Sequence, residues 1–288
     1  MRLPFRKMHG IGNDFVVLDA RRNSVLDARR NSMPDARGNN LPDARAGLRD
    51  AAAIARLGDR HRGVGFDQLI TLEDDAQGAD VFLRFHNSDG SEAGACGNGT
   101  RCAASLVLEE TGRARIAIRT RGGILAAQRL ADGTVQVDMG PPRLGWQDVP
   151  LAREMDTLHV PMAGLDGAAC SMGNPHVTFF EDGLDAAALG PALERDPLLP
   201  DRANIGFARV EAPDRIRLVV WERGAGLTLA CGSGACAAIV NAHRRGLCGR
   251  AATIAMPGGE LQLEWRAADG HVLMAGPVAT AFTGEVAV

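Results

Sequence analysis

The spacing of apolar and polar positions changes several times along the chain, and each change predicts an element. Residues 1–18 open with an apolar alternation and close on the buried run Phe15 to Leu18. This predicts a strand, a turn at Gly10-Ile11-Gly12-Asn13 and a second strand. Residues 48–57 predict a helix stopped by Gly58, and residues 62–72 a turn feeding a strand. Residues 81–90 form a strand that ends in the turn chemistry of Asn87-Ser88-Asp89-Gly90. A helical stretch runs from Arg101 to Glu110 and ends at Gly112. Strands follow over 116–120 and 135–139, and Gly140-Pro141-Pro142 marks the best domain boundary.

The second half repeats this order. Residues 171–180 parallel 9–18, 203–210 parallel the stretch around Phe66, and 218–226 parallel 83–90. A second helix is expected over 235–245, ending at Gly246, with later strands over 261–265 and 279–288. Markers in one order in both halves indicate an internal duplication. A duplicated half predicts pseudo-two-fold packing with a shared site. Between 18 and 47 the chain departs from the pattern, reading LDARRNSV, LDARRNSM, PDARGNNL and PDARAG. On a helix, an eight-residue period rotates each repeat by roughly 80°, so no stable apolar stripe forms. Pro34 and Pro42 oppose a continuous helix. A tandem expansion in a tolerant surface loop is expected.

Composition narrows the function. The chain has 288 residues, 45% of them hydrophobic, and a net charge of -3. Basic residues form no block, so nucleic acid is not an expected partner. No apolar run approaches the roughly 18–20 residues of a membrane span, and the N-terminus lacks an apolar signal core. A cytoplasmic protein is expected. Lys7 is the only lysine, so one residue alone could form a pyridoxal phosphate Schiff base. The six cysteines are too sparse for a disulfide scaffold and wrongly spaced for structural zinc. No metal and no cofactor are expected.

The informative stretch occurs twice: ACGNGTRCAA at 95–104 and ACGSGACAA at 230–238. Each places a cysteine and a Gly-x-Gly at a helix start. The first N–H groups of a helix lack intrahelical partners and its dipole end is positive. A thiolate is favoured there, and the same N–H groups can cradle a carboxylate. Two such loops suit inversion at the carbon beside a carboxylate. Cys96 and Cys231 are then the acid and base, while Cys102, Cys170, Cys236 and Cys248 read as packing. A redox-cycling thiol pair remains a reading from another class.

With these residues in view, the chain resembles the diaminopimelate epimerase family. The resemblance rests on MHGIGNDF at 8–15, GVGFDQ at 63–68, NSDGSEAGACGNGTRC at 87–102, MGNPH at 172–176, NIGF at 204–207, ERGAGLTLACGSGACAA at 222–238 and PGGEL at 257–261. It implies an α/β (α+β) fold of two pseudo-symmetric lobes. Each lobe is a mostly antiparallel, barrel-like sheet around a central helix, with the active site in the cleft between lobes. The implied lobes are 1–138 plus 277–288, and 139–276. The implied activity is cofactor-independent interconversion of LL- and meso-diaminopimelate by a homodimer; a proline racemase-like enzyme is the close alternative. Backbone N–H groups of Gly97-Asn98 and Gly232-Ser233 take the reacting carboxylate. Asn13 and Gln68 take the reacting amino group. Asn87, Asn174, Asn204 and Arg223 hold the distal end, with Glu222 on its ammonium. His176 and Glu222 tune the thiols.

Overall fold

The computed structural model describes residues 2–21 and 50–287. The eight-residue repeats from position 22 onward lie outside the described residues. The chain divides into two compact units. One comprises the described residues of Met1–Gly10, Asp14–Arg129 and Val278–Val288; the other comprises Ile11–Asn13 and Leu130–Pro277.

In the first unit, β1 (Arg2–Gly10) pairs with β2 (Asn13–Asp19). Helix α1 (Ala51–Gly58) starts on the Asp50 side chain, which accepts from the Ala52 N–H. β3 (Gln68–Glu73) runs parallel to β2 and antiparallel to β4 (Val81–Asn87). β4 carries the short β5 (Glu92–Ala93) and leads into α2 (Gly97–Thr111). β6 (Arg115–Thr120) is parallel to β4 and antiparallel to β7 (Gly123–Arg129). α2 packs against β1, β3, β6 and β7. Its residues from Asn98 to Ser105 are all buried. They are mostly small, so strands approach the helix from several sides.

The second unit repeats the plan. After β8 (Val135–Asp138), β9 (Val160–Met162) pairs with β10 (Leu165–Ser171), and β10 with β11 (Pro175–Phe179). Helix α3 (Ala186–Glu194) follows. β12 (Asn204–Ala212) is parallel to β11 and antiparallel to β13 (Arg215–Glu222). β14 (Gly226–Leu227) closes a hairpin on β13 before α4 (Gly232–Arg244). β15 (Ala251–Met256) is parallel to β13, then β16 (Gly259–Trp265) and β17 (Val272–Gly276) continue antiparallel. α4 packs against seven of these strands, and Ala235 to Ala242 are all buried. β18 (Ala279–Ala287) returns to the first unit and pairs antiparallel with β1.

Both halves place a parallel ladder at this point. Phe15 pairs with Gln68 across the parallel β2–β3 ladder, and His176 pairs with Asn204 across β11–β12. Both helices start earlier than residue pattern alone predicts: at Gly97 rather than Arg101, and at Gly232 rather than Ala235. Glycine weakens a helix interior, but the first turn has no N–H bonds to lose, so it tolerates glycine. Helix α3 has no counterpart in the sequence reading, because Gly190-Pro191 reads as a breaker. Asp185 caps it, accepting from the Ala187 and Ala188 N–H groups. β8, placed in the first lobe by the sequence, pairs with β17 of the second unit.

Candidate active site

Each cysteine of interest is the N-cap of its unit's long buried helix. Cys96 has extended backbone, φ −148°, and its sulfur accepts from the Gly99 N–H at 3.4 Å. Its carbonyl accepts from the Thr100 N–H at 2.8 Å. Cys96 is half-buried, whereas Cys231, the N-cap of α4, is buried. The Cys231 sulfur lies 3.7 Å from the Ser233 hydroxyl. Burial pushes the Cys231 thiol well up, and the neighbouring Glu222 carboxylate raises it further; the Ser233 hydroxyl and the Gly234 amide oppose this. All six cysteines are free thiols. Burial pushes Cys102 and Cys170 up to about 12 and Cys248 to about 11, so these three are inert at neutral pH.

In the second unit the predicted residues form a bonded set around Cys231. Asn174 Nδ2 donates to Ser233 Oγ at 3.2 Å, and Asn174 Oδ1 lies 3.1 Å from His176 Nε2. Burial first, then the Arg223 charge, lowers His176 to about 3. The imidazole is therefore neutral, and Nε2–H is the donor to Asn174. Glu222 Oε1 accepts from Thr228 Oγ1 at 2.6 Å. Asn204 is spent on backbone: Oδ1 accepts from the Arg223 N–H at 2.9 Å, and Nδ2 donates to the Pro175 carbonyl at 3.2 Å. Each of its amide atoms keeps capacity for one more bond. Arg223 is exposed and donates from Nη1 to the Asp201 carbonyl at 3.1 Å.

In the first unit Gln68 Nε2 donates to Asn87 Oδ1 at 2.9 Å, and Asn87 Nδ2 donates to Ser91 Oγ at 3.0 Å. The buried Gln68 Oε1 has no hydrogen-bond partner among the described residues, an acceptor suited to an ammonium. Asn98, the second residue of α2, is buried. Asn13 falls in the turn Ile11–Asn13, which clusters with the second unit.

Sequence reading missed the groups that frame these residues. Lys7 is buried and donates to the Asp14 carboxylate and the Gly65 carbonyl. Arg60 bridges Asp14 and Asp67, at 2.6 Å and 2.8 Å. Burial raises the Asp14 carboxyl, but its bonds to Arg60 and Lys7 outweigh this and hold it down to about 2. The network therefore pins residues that adjoin Asn13 and Gln68. The signal was present: a lone lysine and an Asp67 inside the GVGFDQ stretch. A cavity of about 710 Å³ lies elsewhere, lined by Phe5, Val17, Leu72, Leu106 and Thr283 of the first unit.

Comparison with known proteins shows the family of the chain. A family described as diaminopimelate epimerase matches residues 5–145 and 168–281. The diaminopimelate epimerase of Acidiphilium cryptum is 57% identical over 289 residues, covering 98% of this chain and 96% of that one. That of Gluconobacter oxydans is 53% identical with both chains fully covered. A hydroxyproline epimerase from Agrobacterium vitis, solved with bound trans-4-hydroxy-L-proline, shares the fold. Its TM-score is 0.65 at 16% identity, over 100% of this chain and 93% of that one.

Proposed function

Because the chain belongs to the diaminopimelate epimerase family, we propose that it interconverts LL- and meso-diaminopimelate without a cofactor. One thiolate takes the α-proton, and the electron pair left on carbon spreads into the adjacent carboxylate. The other thiol gives its proton to the opposite face, which inverts the centre and regenerates one thiol and one thiolate. Reversal exchanges the two roles. The observation that carries this reading is the matched placement of Cys96 and Cys231 as N-caps of α2 and α4. Helix N-terminal N–H groups at Gly97-Asn98 and Gly232-Ser233 favour both thiolate and carboxylate charge.

In this proposal Asn13 and Gln68 receive the reacting amino group, and the orphaned Gln68 Oε1 supports the second assignment. Asn87, Asn174, Asn204 and Arg223 hold the distal amino-acid end, with Glu222 on its ammonium. Glu222 also acts on the Cys231 thiol, supported by its electrostatic effect there. His176, being neutral, acts through its bond to Asn174. The protein works on a small molecule, as a homodimer in the cytoplasm; light scattering at twice the 30.4 kDa chain mass is the test of the dimer. Among the described residues no helix is long and apolar enough to cross a membrane.

Proton NMR of LL-diaminopimelate with reduced protein in D₂O tests the reaction. Loss of the α-proton signal as the meso isomer appears is the expected result. No exchange by a protein with titratable free thiols overturns the reading. Cys96→Ala and Cys231→Ala each abolish epimerisation; full turnover by either variant removes the two-thiol scheme.

A further inference from the structure

We infer that Glu194, at the end of α3, is a positioning residue that holds Glu222 and Arg223 in place for the substrate; the inference rests on the epimerase reading above. Glu194 is only 3% exposed. Its two carboxylate oxygens accept from two different donors. Oε2 accepts from the Trp221 indole Nε1 at 2.8 Å, and Oε1 from the Gly224 backbone N–H at 3.0 Å. Trp221 and Gly224 stand immediately on either side of Glu222-Arg223. The Arg223 N–H between them is held by Asn204. Three acceptors thus fix the turn that carries both charges. Arg202 Nη1 stands 3.7 Å from Oε1. Burial acts to raise the Glu194 carboxyl, but the Trp221 and Gly224 bonds and the Arg202 and Arg195 charges outweigh it and hold it below its ordinary value.

The rest of α3 is fitted to the same turn. A Cβ on Gly190 would stand 2.5 Å from the Trp221 ring, so the helix rests directly on the indole. In the first unit the carboxylate at the equivalent turn is its own exposed Asp89, which accepts from the Ser91 N–H and hydroxyl. There α1 meets the Asn87 turn backbone to backbone: a Cβ on Gly58 would lie 2.7 Å from the Ser88 carbonyl oxygen, and one on Gly90 would lie 2.3 Å from that of Ala51. The positions matching Glu222 and Arg223 are the uncharged Asn87 and Ser88. Of these two turns, the one that carries Glu222 and Arg223 has the buried carboxylate from a neighbouring helix behind it.

Glu194→Gln is the test, because the amide matches the carboxylate in size and shape. One amide oxygen can accept from one of the two donors; the amide NH₂ then faces the other N–H and breaks that bond. A misplacement on the order of 1 Å near reacting groups costs about 100-fold. The expected result is a loss of about that size in kcat/KM, with both a raised KM and a lowered kcat. Hydrogen exchange over residues 221–229 should speed up while the melting temperature and exchange in α2 stay near wild type. Trp221→Phe, which removes the indole donor together with part of the ring on which α3 rests, should give a loss of the same kind. Wild-type exchange and wild-type kcat/KM in Glu194→Gln overturn the inference. So does a loss of activity that tracks global unfolding alone. If the wild-type protein leaves LL-diaminopimelate untouched, the epimerase reading falls instead, and the exchange measurement still decides whether Glu194 holds the turn.

Discussion

The sulfur of Cys231 lies 3.7 Å from the hydroxyl of Ser233, and the bonding behind that hydroxyl fixes its direction. Neutral His176 donates from Nε2 to Asn174 Oδ1, and Asn174 Nδ2 donates to Ser233 Oγ. Ser233 already accepts, so its own proton is available to the sulfur. Every donor in the series points toward Cys231, an arrangement that favours thiolate over thiol. Ser233→Ala removes the last donor. A hydrogen bond to a charged group contributes about 1.5–3 kcal/mol, and at this sulfur distance the lower end applies. Turnover is expected to fall about tenfold. Because the thiolate loses stabilisation, the Cys231 ionisation and the acid limb of the kcat profile shift to higher pH. An unchanged profile shows that the hydroxyl does not reach the sulfur in turnover.

The two cysteines differ in the free protein, which alkylation can read. Cys96 is half-buried, while Cys231 is buried and its thiol is pushed up, by burial first and then by Glu222. Only thiolate reacts with iodoacetamide. At pH 7, peptide mapping by mass spectrometry should find Cys96 modified at least about tenfold faster than Cys231. Cys102 and Cys170 should stay unmodified until the protein unfolds. Equal rates at Cys96 and Cys231 contradict the buried, protonated state assigned to Cys231.

The contrast between what residues reveal and what they hide is physical. Cys96 and Cys231 are legible because a Gly-x-Gly after cysteine has few purposes other than a close approach at a helix start. The mixed α+β fold and the duplicated order are legible because each marker is local. Glu194 is not legible, since its function depends on Trp221 and Gly224, 27 and 30 residues away. The Gly190-Pro191 pair also conceals the helix that carries it. β8 is similarly hidden: its pairing with β17 joins Val135 to Gly276, and no local pattern encodes so distant a partner. His176 is visible as a residue of the MGNPH stretch, but its neutrality follows only from its burial.

That neutrality makes a stability prediction. His176 is lowered from 6.5 to about 3 by burial and by Arg223. Between these values the unfolded chain binds a proton that the folded chain does not. Stability from this group is therefore complete above pH 6.5 and declines as pH falls toward 3, by at most about 1.4 kcal/mol per pH unit. His176→Asn removes the titrating group. Denaturant unfolding at pH 5 and pH 7 should show a smaller difference between the two pH values in the variant than in the wild type. An identical difference means that His176 is protonated, or exposed, in the folded protein.

Gly258 offers a sharper test of how the Asn13 turn is held. A Cβ at Gly258 would lie 1.9 Å from the Ile11 carbonyl oxygen and 3.0 Å from that of Leu229. Both are backbone atoms, so no rotamer relieves the overlap. The Gly258 N–H also donates to the Leu229 carbonyl at 2.8 Å, which ties this strand end to the segment before Cys231. Ile11 has φ +49° and its side chain is buried in the core of the second unit, so the turn cannot swing away freely. Gly258→Ala must displace the Ile11–Asn13 backbone or its own strand. The expected cost is about 1–3 kcal/mol, as for overpacking in a tight interior. The loss of kcat/KM should exceed what the remaining folded fraction explains, because Asn13 moves with Ile11. A variant that melts within about 1 °C of wild type and keeps full activity would show that the turn has another resting position, since 1 kcal/mol shifts a chain of this size by about 2–4 °C.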